Sequence, residues 1–129
     1  MSRRFLSVIA SVAALALTAL SGAIAHETAK GPHGGPVVDI AGHHVEFVPS
    51  ATEMTFYLTG DADAPIASAG AKMKAIVQVA GKTTQIELAP IEPNKLVGKL
   101  PVPLAAGAKV VVSGALADGH SLQARFVIP

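Results

Sequence analysis

Short apolar runs rich in β-branched residues recur at intervals of about ten residues from Val37 to the end of the chain, each stopped by turn-forming residues. The runs are 37–40, 43–48, 54–58, 74–79, 84–88, 95–100, 109–116 and 121–128. Between them stand Ala41-Gly42, Gly60-Asp61-Ala62-Asp63-Ala64-Pro65, Ala80-Gly81-Lys82, Pro93-Asn94, Ala106-Gly107 and Asp118-Gly119. Several runs alternate, with Gln85 and Glu87 set against Ile86 and Leu88, and Ile76 and Gln78 against Val77 and Val79. A period of two is what a sheet with one wet face requires, and no window carries a helical stripe. Seven or eight short strands in roughly 100 residues predict an all-β domain over 37–129. The expected architecture is a small antiparallel β-sandwich of immunoglobulin-like type, with a small barrel as the alternative. The chain has no Cys and no Trp, so the disulfide and core Trp of antibody-type domains have no counterpart.

Ahead of the strands lies a different kind of segment. Arg3 and Arg4 precede an apolar stretch from Val8 to Leu20, which closes with Ser21-Gly22-Ala23-Ile24-Ala25. A basic start, a greasy centre and a closing Ala-x-Ala predict a secretory signal peptide over 1–25, cleaved after Ala25. A retained anchor would need about 20 apolar residues, and the small residues close this segment early. The expected product is an exported, periplasmic domain with no membrane insertion after cleavage. Residues 26–36, His-Glu-Thr-Ala-Lys-Gly-Pro-His-Gly-Gly-Pro, then read as a flexible arm.

Cleavage removes two of the 10 Lys and Arg and none of the 9 Asp and Glu, so a net charge of +1 becomes −1. With no positive field, one Tyr and no Trp, nothing in the sequence supports nucleic-acid binding. The absence of Cys removes thiolate metal sites and thiol redox chemistry. No nucleophile elbow, phosphate-cradling loop or His-Glu-x-x-His is present, so the expectation is a binding protein and not an enzyme.

Histidines are the remaining chemistry. Of the 5, His26, His33, His43 and His44 crowd the start of the mature chain, and His120 lies in a distant turn. On a strand, His44 and Glu46 share one face, about 6–7 Å apart, while Val45 and Phe47 face the core. A two-residue turn at Ala41-Gly42 places Asp39 opposite His44 on the outer face. His-Asp-Glu at that spacing suits a divalent cation; the alternative is three ordinary solvated side chains. His33, beside Gly34 and Gly35, can bend toward the sheet as a further ligand, or stand exposed in a linker. Cleavage after Ala25 makes His26 the N-terminus, where the α-amine and ring nitrogen together chelate Cu(II). His43, on the inner face, is expected to pack or hydrogen-bond. His120 joins a site only if its turn lies at the same end of the domain. Met54 and Met73 read as structural.

The run from Gly31 to Val48, with His33-Gly-Gly, a short strand, a glycine turn, then His44-Val-Glu46, resembles a module of small exported proteins associated with heavy-metal resistance. It is also similar to a segment in the N-terminal region of some periplasmic adaptor subunits of heavy-metal efflux pumps. Asp61–Ile66, Lys74–Val79 and Ala124–Phe126 fit the same pattern more loosely. The resemblance implies metal contact at His33, His44 and Glu46, and binding or delivery of a transition metal without catalysis. Nitrogen and oxygen ligands without thiolate favour copper, with zinc next. The partners it implies are the metal ion and a heavy-metal efflux adaptor or other envelope protein. The chain lacks the adaptor's helical hairpin and lipoyl-like parts, which favours a free-standing protein. A different class of role is a β-sandwich interaction module of the cell envelope, with histidines that bind nothing.

Overall fold

The computed structural model describes residues 29–129; the expected signal peptide and His26 lie outside the described residues. Eight antiparallel strands follow one another as β1 (Val37–Ile40), β2 (His43–Pro49), β3 (Glu53–Thr59), β4 (Lys72–Val79), β5 (Lys82–Ile91), β6 (Lys95–Lys99), β7 (Lys109–Ala115) and β8 (Ser121–Val127). A short 3-10 turn spans Asp61–Asp63. The fold is all-β, and each expected run is a strand.

The order of strands is β1-β2-β3-β6-β5-β4-β7-β8, one unbroken hydrogen-bonded sheet. The ten-residue β5 makes this possible. Its first part, Lys82–Leu88, pairs with β4, and its last part, Ala89–Ile91, pairs with β6. Because β5 carries the ladder from one half to the other, the strands do not divide into two separate immunoglobulin-like sheets. The sheet curls until β1 meets β8, so the domain is a nearly closed barrel, the alternative architecture.

Local sequence explains the hairpins. Ala41 and Gly42 both have positive φ (51° and 84°), as do Ala80 and Gly81 (48° and 79°). Two left-handed residues in succession form the primed turn whose twist matches that of the flanking strands. The first turn sets the register Asp39↔His44 and Ile40↔His43, and the second sets Val79↔Lys82.

Alternation fills the interior. Val45 and Phe47 point inward from β2, Met54, Phe56 and Leu58 from β3, Met73, Ala75 and Val77 from β4, and Leu122, Ala124 and Phe126 from β8. Phe47 packs on Phe56 at a ring-centre distance of 4.9 Å and on Phe126 at 5.1 Å. The second contact joins β2 to β8 and closes the seam of the barrel from inside. Met54 and Met73 are both buried in this core and are packing residues.

Candidate metal site

The outer face of the β1–β2–β3 corner carries the expected residues. Asp39 pairs with His44 across β1 and β2, and β3 adds Tyr57 opposite Glu46 and Thr59 opposite His44. Over this surface folds the segment 29–36. It is tied by hydrogen bonds from Gly31 N to Gly35 O (2.8 Å) and from Gly34 N to Gly31 O (2.9 Å). Phe47 N donates to Pro36 O at 3.0 Å, and Val37 N to Ala29 O at 2.8 Å, so the β1–β2 ladder continues into the segment.

Glu46 is the anchor. Expected as an outward metal ligand on a wet face, it is buried, 4% exposed, because the His33 turn lies on top of it. Its Oε2 accepts the backbone N–H of His33 at 2.9 Å and of Gly35 at 3.0 Å, and its Oε1 accepts from His33 Nδ1 at 2.9 Å. A buried carboxylate needs such donors, since isolation from water is otherwise prohibitive. The glycines serve this contact. A Cβ on Gly31 would collide with the Glu46 carboxylate, and one on Gly35 with the Phe47 carbonyl oxygen. Gly31 and Gly35 permit close approach of backbone to β2, while Gly34, at a φ of 81° with open space around it, supplies the bend expected from the sequence.

Two carboxylates each hold one imidazole. An ionised carboxylate only accepts, so in neutral His33 the proton resides on Nδ1 and Nε2 keeps its lone pair. The ring is further fixed by lying flat on Tyr57, with centres 3.6 Å apart and planes 7° apart. On the neighbouring pair of strands, His44 Nε2 donates to Asp39 Oδ2 at 3.1 Å, which leaves Nδ1 of His44 as the free acceptor. Asp39 also accepts from Gly42 N at 3.2 Å and so braces the turn. A carboxylate on one ring nitrogen is the arrangement that orients a metal-bound histidine and raises its basicity.

His33, His44, Asp39 and Glu46 line one surface pocket of about 570 Å³, together with Lys30, Tyr57, Thr59 and Asp63. Three carboxylates against one ammonium give it a field suited to a cation. As they stand, no three His, Asp or Glu side chains among the described residues are grouped so as to hold a metal ion. The pocket therefore presents two pre-oriented imidazoles.

His120 is not part of this pocket. It stands against His43, which β2 sends to the opposite face from His44. The Tyr57 platform and the His43–His120 pairing escaped sequence reasoning. The first follows once the β2–β3 register is known; the second depends on barrel closure, which no local pattern encodes.

No protein-family model, curated protein or solved structure matches the chain.

Proposed function

We propose that this is a periplasmic transition-metal-binding protein of heavy-metal homeostasis or resistance, with copper its first ion and zinc the next. The observation that carries the reading is the pair His33 and His44 on one acidic pocket, each imidazole held by a carboxylate through one nitrogen and free at the other. His33 Nε2 and His44 Nδ1 are the primary ligands. Glu46 acts as the positioning residue that fixes the His33 ring and covers itself with the His-Gly-Gly turn. Asp39 orients His44 and can rotate onto the ion. His26, as a chelating N-terminus, completes a nitrogen-rich set of the kind Cu(II) prefers.

The resemblance of Gly31–Val48 to modules of heavy-metal resistance proteins and efflux adaptors supports this reading. On it, the His-Gly-Gly and His-x-Glu elements belong together because one docks on the other. The role is binding or delivery of the ion, without catalysis, after export through a cleaved signal peptide. An adaptor of a heavy-metal efflux pump, or another envelope protein, is the partner that delivery calls for.

Isothermal titration of the purified protein with Cu(II), after mass spectrometry of its N-terminus, tests the proposal. One tight site is expected, weakened at least tenfold in His33→Ala and in His44→Ala, and unchanged in His120→Ala. Weak, non-stoichiometric uptake unaffected by His33→Ala contradicts it. Chelator-insensitive capture of an envelope protein would then favour the interaction-module reading.

A further inference from the structure

We propose a second transition-metal site, separate from the outer pocket, in which His43 and His120 bind one tetrahedral Zn(II)-class ion at the end of the barrel and Asp118 orients His120. His43 opens β2 on the core side, where its Nδ1 is closed off from solvent and has no hydrogen-bond partner. Buried polar atoms are almost always paired in folded proteins, so an orphaned imidazole nitrogen points to a missing partner.

His120 supplies the neighbouring ring. Its turn is held by Gly119 N donating to Leu116 O (3.0 Å) and Leu116 N to His120 O (2.9 Å). Asp118 then grips the residue twice, with Oδ1 accepting from His120 N at 2.9 Å and Oδ2 from His120 Nδ1 at 2.8 Å. In neutral His120 this leaves the lone pair on Nε2, as in a carboxylate-oriented metal ligand. The Asp118 contacts to His120 and the packing of the His120 ring on His43 put all three groups in one neighbourhood.

The spacing of the rings fits one shared ion. His43 and His120 have centres 5.3 Å apart with planes tilted by 52°. Two imidazoles bound at about 2.0–2.1 Å to one tetrahedral ion have ring centres roughly 5 Å apart. Adjacent positions of a tetragonal Cu(II) ion would bring them to about 4.5 Å. No third His, Asp or Glu completes a group among the described residues, so the remaining positions fall to water on the exposed His120 side of the ion.

The test follows the ring nitrogens by NMR while Zn(II) is added to the purified protein. The His43 and His120 signals are expected to shift together and saturate. His120→Ala should abolish the His43 response, Asp118→Asn should weaken it by about tenfold or more, and His33→Ala should leave it intact. His120 is exposed, so its replacement leaves the fold in place, as the backbone amide spectrum would verify. Silence of both rings, or a His120 response that persists in His43→Ala, overturns the site. Loss of Cu(II) binding in the outer pocket is read separately, in His33→Ala, and the two outcomes do not depend on each other.

Discussion

Replacing Glu46 by alanine isolates the interaction on which the outer pocket is built. The buried carboxylate accepts from His33 N at 2.9 Å, Gly35 N at 3.0 Å and His33 Nδ1 at 2.9 Å. Hydrogen bonds to a charged group contribute about 1.5–3 kcal/mol each, so the three together are worth about 4.5–9 kcal/mol before compensation. The arm sits at the surface and can swing out, where its N–H groups meet water. Global stability should therefore fall by only about 1–3 kcal/mol, while local docking suffers most of the loss. Residue-resolved amide exchange distinguishes the two. Protection at His33 and Gly35 should drop by about 100-fold, equivalent to about 3 kcal/mol, with β4 and β7 changed far less. Glu46→Gln, which keeps shape and loses charge, should fall between. Unchanged exchange at His33 and Gly35 in Glu46→Ala would refute the reasoning, and assign the fastening to the Phe47–Pro36 and Val37–Ala29 backbone bonds and the Tyr57 stack.

Gly31→Ala drives a methyl group into the Glu46 carboxylate and should cost about 1–3 kcal/mol in urea unfolding, while releasing His33 from Tyr57 in NMR spectra. Phe126→Ala opens the aromatic contact that joins β8 to β2 and should lower stability by about 3–5 kcal/mol, read as a lower urea midpoint. The Asp118 carboxyl is held below its ordinary value of 3.8 by the His120 backbone N–H and ring, with His43 nearby. Because the folded value is the lower one, this contact stabilises the turn above pH 3.8 and is lost as pH falls below that point, which the His120 amide shift reports.

Strand positions and hairpin register were legible because both rest on local rules. Alternation set Ile86 and Leu88 against Gln85 and Glu87, and Val77 against Gln78, and Ala41-Gly42 fixed Asp39 opposite His44. Barrel closure was less accessible. It depends on β5 leaving one partner for another near Ala89 and on Phe47 reaching Phe126, both long-range events. Within the pocket, His33, His44, Asp39 and Glu46 were identified from spacing and resemblance, but their division of labour was not. Strand alternation put Glu46 on a wet face. It could not show that a glycine turn would cover that face and make the carboxylate the anchor. His43 and His120 are separated by most of the chain, and only the folded sheet reveals them as neighbours.

Electron paramagnetic resonance of the protein loaded with one equivalent of Cu(II) tests the central claim most directly, because nitrogen ligands imprint hyperfine structure on the copper signal. The account predicts an axial spectrum with coupling from imidazole nitrogens, one fewer in His33→Ala and one fewer in His44→Ala, and unaltered in His120→Ala. A spectrum of hydrated copper, or one identical in the wild type, His33→Ala and His44→Ala, would contradict it.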